Sequence, residues 1–233
     1  ITGGCFCCRF NSLTDAAAKL SAVDRPDVFL AEPVGSCTDL TATVSYPLRR
    51  LYGDEYTIAP YSVLVDPVRA ERILGLESGP AFSPKVRYIY LKQLEEAEVI
   101  AVNKADTLDP ARRDRLTAAL KERFPRATVH VMSARTGEGF AAWADAIAAA
   151  DLGSAPAMAV DYDLYAEGEA LLGWVNATAT LTAVVPFDGN AFLAALAADV
   201  HRRLSAAETE VAHLKMTLTP DEGADLAVVN LTR

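Results

Sequence analysis

The sequence has no run of apolar residues long enough to cross a membrane, because acidic residues interrupt even its most alanine-rich stretch, residues 140–150. It also has no basic start followed by an apolar core and a small-residue cleavage site, so no export signal is predicted. The formal net charge of −9 argues against nucleic acid as a partner, since sequence-independent binding needs a basic surface. We therefore expect a cytoplasmic protein with neither a membrane nor a nucleic-acid partner.

Two further absences concern phosphate and metal chemistry. No glycine is followed by lysine, so the phosphate-binding motif Gly-x-x-x-x-Gly-Lys-Ser/Thr does not occur in this sequence. There is no histidine-rich tract either, and His130, His201 and His213 are expected to be isolated surface or packing residues. The chain begins at Ile1 without a methionine, so its natural start is expected upstream, and its C-terminus is expected to be cut as well.

Short apolar runs alternate with helical stretches over the first 151 residues, a pattern typical of a parallel sheet with connecting helices. We predict an α/β fold with a doubly wound, mostly parallel sheet, followed by a smaller α+β domain. A linker over residues 152–158 divides the chain into domains 1–152 and 159–233. The predicted strands are 28–31, 62–65, 99–102 and 128–132 in the first domain, and 174–182, 213–218 and 226–231 in the second.

Apolar residues at helical spacing predict four helices. The first carries Leu40, Val44, Leu48 and Leu51 after the cap candidates Ser36 and Thr38. The second begins at Asp109 and Pro110 and carries Leu116, Leu120 and Phe124. The third follows Gly139 and carries Phe140, Trp143 and Ile147, and the fourth runs from Gly189 to about Leu204 after the cap Asp188.

Three of the four cysteines, Cys5, Cys7 and Cys8, follow two glycines within four residues. Adjacent cysteines pair only through a strained ring, so a structural disulfide is not expected. Three thiolates on one short turn can bind a soft or borderline metal ion such as zinc, cobalt, iron or copper(I), with a fourth ligand from elsewhere. Buried packing residues and a redox dithiol are the alternatives. Cys37 is expected to be a packing residue at a helix start.

The predicted strand 99–102 leads into Asn-Lys-Ala-Asp at 103–106, the pattern by which GTPases recognise guanine. The Asp106 carboxylate can accept hydrogen bonds from the ring N1–H and the exocyclic amine, which adenine does not offer in that arrangement. Asn103 can bridge ring N7 and nearby backbone, and the Lys104 stem can lie against the base. After the next strand come Ser133 and Ala134, where a backbone amide is expected beside guanine O6. A capped turn is the alternative there.

Glu-Pro-Val-Gly at 32–35 follows the predicted strand 28–31. At this place the sheet of a GTPase carries a carboxylate beside the magnesium ion and the terminal phosphate of the nucleotide. Glu32 is therefore the predicted catalytic residue, through a magnesium-bound water. If a strand containing Ile1 and Thr2 runs parallel to the strand that ends at Glu32, the cysteine turn and Glu32 meet at one edge of the sheet. The alternative is a helix-capping acid before Ser36.

With these motifs in order, the sequence resembles the CobW family of P-loop GTPases, relatives of HypB and UreG. The likeness rests on the motifs at 3–8, 32–35, 103–106 and 133–134 and extends over at least residues 1–150. Residues 161–176 also look like the start of the C-terminal domain in some members. In the family the phosphate-binding loop precedes the cysteine turn, so the resemblance implies an upstream strand, loop and helix of about 30 residues or more.

The resemblance implies a GTP hydrolase in the full-length protein, acting as a metallochaperone or metal-insertion factor. GTP hydrolysis would be coupled to transfer of a divalent metal held by Cys5, Cys7 and Cys8. GTP and Mg²⁺ are the implied cofactors, and Zn²⁺ or Co²⁺ is the implied transferred metal. The implied partners are a guanine nucleotide and a client, either a metalloprotein or a corrinoid-pathway enzyme. A homodimer is the assembly that we consider. A pseudo-GTPase that stores or senses metal and a thiol redox protein are the alternatives.

Overall fold

A computed structural model describes residues 5–79, 82–148, 158–172, 175, 177–209, 211, 214–221 and 225–231. The chain forms two compact units, Ile1–Trp174 and Val175–Arg233. Within the described ranges, no helix is both long enough and apolar enough to cross a membrane. The predicted linker lies almost entirely in residues 149–157, outside the described residues, and so does the predicted strand with Ile1 and Thr2. The domain boundary near residue 155 therefore stays a prediction.

The first unit is built on a parallel sheet of β1 (Ser62–Val65), β2 (Val99–Val102) and β3 (Thr128–Val131), in that order. Val65, Val102 and Val131 are in register, so all three strands end at the same edge. Strand β2 is buried along its whole length, as expected for a central strand made only of valine, isoleucine and alanine. The predicted α/β class with a parallel sheet is confirmed.

Three helices pack on the sheet face that carries Val65, Ile100 and Val102: α3 (Pro67–Leu74), α4 (Pro84–Glu96) and α5 (Pro110–Arg123). Each has proline at its first position and a preceding Asp or Ser whose side chain accepts a backbone N–H of the first turn. In α5 the apolar stripe Leu116, Leu120 and Phe124 is buried, as predicted. These contacts form the main core.

Helix α6 (Phe140–Ala148) lies on the opposite face of the sheet from α3, α4 and α5. Its Trp143 Nε1 donates to Ser62 Oγ at 2.9 Å. Side chains alternate between the faces along a strand, so Ser62 lies on the face opposite to that of Val63 and Val65. Helices therefore cover both faces, as a doubly wound sheet requires.

A second apolar cluster surrounds the start of the chain and contains Phe6, Cys37, Leu40 and Val44, with Leu48 packed against it. The predicted helix here begins as a π-helix, Thr41–Ser45, and continues as α2 (Tyr46–Tyr52). Its apolar stripe ends at Leu48, because Leu51 is exposed. The described part of this unit also contains α1 (Phe10–Asp24), a 3₁₀ turn (Ala105–Thr107) and α7 (Tyr162–Ala170), and α7 packs on α4.

The prediction of a strand at 28–31 is wrong. These residues form no strand, and Val28 and Leu30 are 69% and 82% exposed. A strand needs a hydrogen-bonded neighbour, and the described strands offer none to this segment. The apolar composition of residues 28–31 indicated that they are buried, but no described part of the chain buries them.

The second unit consists of α8 (Gly189–Ala206) and an antiparallel pair, β4 (Leu214–Leu218) and β5 (Ala227–Leu231). Asp188 caps α8 by accepting the N–H groups of Asn190 and Ala191, as predicted. Leu193, Ala197 and Ala227 are buried. The strand predicted at 174–182 is absent from its described residues, 175 and 177–182. Val175 is 89% exposed there, because the described residues provide no layer to cover it.

Candidate nucleotide and metal site

The guanine loops, residues 103–106 and 133–137, leave β2 and β3 at the same edge of the sheet. One side chain ties them together: Asn103 Oδ1 accepts the backbone N–H of Lys104 at 2.8 Å and that of Ala134 at 3.0 Å. The backbone N–H of Ala105 also donates to Met132 O at 3.1 Å. The two loops are therefore held at a fixed spacing by hydrogen bonds within the protein.

The carboxylate of Asp106 is oriented by a buried hydroxyl. Ser133 is fully buried, donates through Oγ to Asp106 Oδ1 at 2.6 Å and accepts the Thr136 N–H at 3.2 Å. Asp106 itself is exposed, and a carboxylate has about four acceptor positions, so it can still accept two donors from a ligand. The geometry fits recognition of a base that presents two neighbouring N–H groups.

Lys104 adopts the left-handed conformation, with φ 59°, which a side chain with a Cβ adopts rarely. Its Nζ lies 2.8 Å from Asp66 Oδ2, and Asp66 also caps helix α3 through Oδ1. The Lys104 stem is thus fixed across the edge of the sheet between β1 and β2. Asp66 was not identified from the sequence, although its place directly after a predicted strand was a usable signal.

The cysteine pocket is formed by Cys5, Cys7 and Cys37. The Cys37 sulfur lies 3.1 Å from that of Cys5 and 3.0 Å from that of Cys7, and all three lie within 4.8 Å of one another. Cys8, which the sequence placed with Cys5 and Cys7, is exposed, and its sulfur lies 3.7 Å from that of Cys7. Cys37 was missed as a candidate, because 29 residues separate it from Cys8 and an isolated cysteine near a helix start resembles a packing residue.

The thiols of the pocket influence one another's ionisation. Burial raises the pKa of Cys37 to about 12 and raises the pKa of Cys7 further, the neighbouring sulfurs adding to the rise at Cys7. Burial also opposes ionisation of Cys5, but hydrogen bonds from Cys7 and from the Val34 backbone outweigh it and leave the pKa of Cys5 lowered. Among the three thiols, Cys5 is therefore the easiest to ionise, and Cys7 and Cys37 retain their protons more strongly. A cation could replace those protons.

Cys37 belongs to the loop that begins at Glu32. The Cys37 N–H donates to Val34 O at 2.8 Å, and Gln93 of α4 donates through Nε2 to Gly35 O and to Cys37 O, both at 2.9 Å. Glu32 is exposed at the start of this loop. We predicted that two parallel strands would bring the cysteine turn and this loop to one edge of the sheet. Residues 28–31 form no strand, so no such pair of strands links them. The link is direct contact with Val34 and Cys37.

Buried acids lie beside the pocket. Asp39, with φ 63°, and Glu96 are both buried; the Thr41 N–H donates to one oxygen of Glu96, and Tyr162 of α7 donates to one oxygen of Asp39. Burial, with a contribution from Asp39, raises the pKa of Glu96. The pKa of Tyr165 is also raised, by burial and by nearby Glu169 and Cys37. Helix α7 therefore lies close to the pocket.

The fold and the paired loops define a nucleotide-binding α/β protein. The family model for the CobW/HypB/UreG nucleotide-binding domain matches residues 1–131, more than half of the 233-residue chain. The chain belongs to this family of P-loop GTPases, as the sequence motifs predicted. Searches of curated proteins and of solved structures gave no match.

Proposed function

We propose that the protein is a metal-handling GTPase in which guanine binds at Asn103, Lys104, Asp106, Ser133 and Ala134, and a divalent metal binds at the cysteine turn. Zn²⁺ and Co²⁺ are the proposed cargo, because sulfur donors accept both ions. The observation that carries the proposal is the convergence of three sulfurs beside the Glu32 loop, in the unit that also contains the guanine loops.

The sulfur spacing supports a metal. Zinc holds each thiolate at about 2.3 Å, which in a tetrahedral site puts neighbouring sulfurs about 3.8 Å apart. The contacts of 3.0 and 3.1 Å and the upper limit of 4.8 Å bracket that spacing. Small side-chain movements would therefore admit an ion. A fourth position is open to water or to a donor from an acceptor protein.

In this proposal Glu32 is the catalytic residue and holds a water of the Mg²⁺ that accompanies GTP. Hydrolysis removes the terminal phosphate and releases the loop that Glu32 begins, and the metal then passes to a client. The proposed client is a metalloprotein or a corrinoid-pathway enzyme in the cytoplasm. A homodimer is the proposed assembly.

The test uses the full-length gene product and two titrations. Competition titration with Co²⁺ should give one ion per chain, and nucleotide titration should show GDP and GTP binding at least 100-fold more tightly than ADP and ATP. GTP hydrolysis should change rate when Co²⁺ is bound. Binding without any preference for guanine, or the absence of stoichiometric metal, would refute the proposal.

A thiol redox function is the second candidate, and the sulfur contacts of Cys37 favour it, since thiols this close can form a disulfide. Forming that bond releases two protons and two electrons to an oxidant such as a small disulfide. Redox titration with oxidised and reduced glutathione separates the two functions. A metal-handling protein should bind Co²⁺ stoichiometrically when reduced, whereas a redox protein should show a reversible dithiol couple and no bound metal.

A further inference from the structure

The cysteine pocket takes its sulfurs from two separate segments. Cys5 and Cys7 come from the turn at the start of the chain, and Cys37 comes from the loop that starts at Glu32. The fourth cysteine, Cys8, is exposed; its sulfur lies 3.7 Å from that of Cys7 and is not among the three sulfurs that lie within 4.8 Å of one another. Adjacent residues in the turn thus have different access to the pocket.

Cys37 is held more firmly than an ordinary loop residue. It is only 6% exposed, and Leu40 and Val44 belong to the same buried cluster. The Gln93 carboxamide donates to the carbonyls on both sides of Ser36, those of Gly35 and Cys37. The backbone on both sides of Ser36 thus shares one anchor on α4, so a loop movement that pulls Gly35 from Gln93 also weakens the hold on Cys37.

We infer that Cys37, and not Cys8, is the third resident ligand of the metal, and that it makes metal affinity respond to the nucleotide. The inference rests on the proposed function, in which Glu32 and Gly35 lie on the loop that senses the terminal phosphate. When that loop moves, one of three sulfurs moves with it, and a site with two sulfurs binds the ion more weakly. By linkage, metal binding must in turn favour the nucleotide state that keeps Cys37 in the pocket.

The decisive comparison is Cys37→Ser against Cys8→Ser in the full-length gene product, with Co²⁺ as the probe. Cys37→Ser should weaken Co²⁺ at least 100-fold and reduce the sulfur-to-cobalt charge-transfer absorption by about one third, since one of three sulfurs is lost. Cys8→Ser should stay within about threefold of the unmodified protein. Equal guanine nucleotide binding by both variants shows that both are folded.

A measurement on the unmodified protein avoids any folding defect. Iodoacetamide labelling followed by mass spectrometry should show that Co²⁺ slows alkylation of Cys5 and Cys7 and leaves Cys8 at its metal-free rate. Metal protection of Cys8 equal to that of Cys7 would overturn the inference, and so would a Cys8→Ser variant that loses as much Co²⁺ affinity as Cys37→Ser.

The coupling is tested by comparing Co²⁺ affinity with a non-hydrolysable GTP analogue and with GDP. The unmodified protein should show a difference of about tenfold, in the range typical of coupled sites, and Cys37→Ser should show less than twofold. An undiminished difference in Cys37→Ser would overturn the coupling while leaving the proposed function intact. If the unmodified protein bound no stoichiometric Co²⁺, the proposed function and this inference would both be overturned.

Discussion

The guanine loops satisfy their polar groups among themselves, whereas the cysteine pocket does not. Asn103 and Ser133 each take part in one hydrogen bond between the loops after β2 and β3 and one within its own loop. The three sulfurs of the pocket face one another through weak S–H contacts, and two of them resist ionisation. Internal hydrogen bonds thus fix the first region in advance, which would lower the cost of ordering if it binds guanine as proposed.

The contrast extends to the elements that carry each region. The guanine loops directly follow strands of the central sheet, so backbone pairing positions them. The cysteine pocket joins a turn near the start of the chain to a loop anchored by Gln93. A region whose parts come from two loops, packed on a smaller cluster than the sheet, can change its geometry without disturbing the main core. We therefore expect the first region to set specificity and the second to respond to conformation.

The largest expected effect is the pH dependence of metal binding. Cys7 and Cys37 have raised pKa values and must lose protons to bind a metal, so the logarithm of the Co²⁺ association constant should rise with pH at a slope of at least about two between pH 6 and 8. Chelator competition at several pH values measures it, and Cys7→Ser should lower the slope by about one. A flat profile would mean that no thiol proton is displaced.

The same raised pKa values predict the opposite trend for the metal-free fold. Below the ordinary thiol pKa of about 8.5 their contribution to stability is complete, because both states are protonated. As pH rises toward the folded-state values, the unfolded chain loses these protons first and stability falls. Urea titrations at pH 7 and pH 10 should show this decrease, and Cys37→Ser should lessen it.

The second largest effect should come from Asp106→Ala, which removes the acceptor for both guanine N–H groups. Affinity for GDP should fall about 100-fold, since charge-assisted hydrogen bonds are worth about 1.5–3 kcal/mol each. Metal affinity without nucleotide should not change, because the carboxylate belongs to the other region. Asp114→Ala, an exposed acid on α5, is the matched control. Loss of metal binding in Asp106→Ala would show that the two regions are not separable.

A smaller effect is expected for Gln93→Ala, which frees the carbonyls of Gly35 and Cys37. Two neutral hydrogen bonds contribute about 1 kcal/mol each, so Co²⁺ affinity should fall by up to about 30-fold while GDP affinity stays constant. Lys92→Ala, its neighbour on α4, serves as control. An unchanged Co²⁺ affinity would show that the Cys37 loop keeps its position without this anchor.

The smallest effect is expected for Tyr162→Phe, which removes the hydroxyl that donates to the buried Asp39 carboxylate. Stability of the metal-free protein should fall by about 1–2 kcal/mol, because a buried acceptor loses its donor. Urea denaturation measures it, with Tyr46→Phe at an exposed tyrosine as control. If the two variants were equally stable, the hydrogen bond from Tyr162 of α7 to Asp39 would contribute little to the stability of the protein.

The guanine loops were predicted correctly from the sequence as far as their positions after β2 and β3 are concerned, because local sequence determines where they lie. Asn103, Asp106 and Ser133 lie directly after strands, so a correct strand assignment was enough to bring them together. The helix starts at Asp109 and Asp188 were equally local, since the capping side chain and the first turn adjoin in sequence. Where a few neighbouring residues decide the structure, the prediction succeeded.

Cys37 could not be assigned in this way. Its position depends on the path of the chain from the cysteine turn through α1 and back along the Glu32 loop, and no local spacing encodes that path. The strand predicted at 28–31 failed for a related reason, because an apolar run indicates burial but does not identify a neighbour to pair with. Tertiary contacts decided both cases.

Two residues other than glycine have a left-handed backbone near these regions, Lys104 in the guanine loops and Asp39 beside the cysteine pocket. Such a backbone costs a residue other than glycine about 1–2 kcal/mol. Glycine at either position would relieve that cost but remove the ammonium that meets Asp66 or the carboxylate that meets Tyr162. At position 39 the loss offsets the relief, because the hydrogen bond from Tyr162 also contributes about 1–2 kcal/mol, so selection for thermal tolerance alone is not expected to accept glycine there.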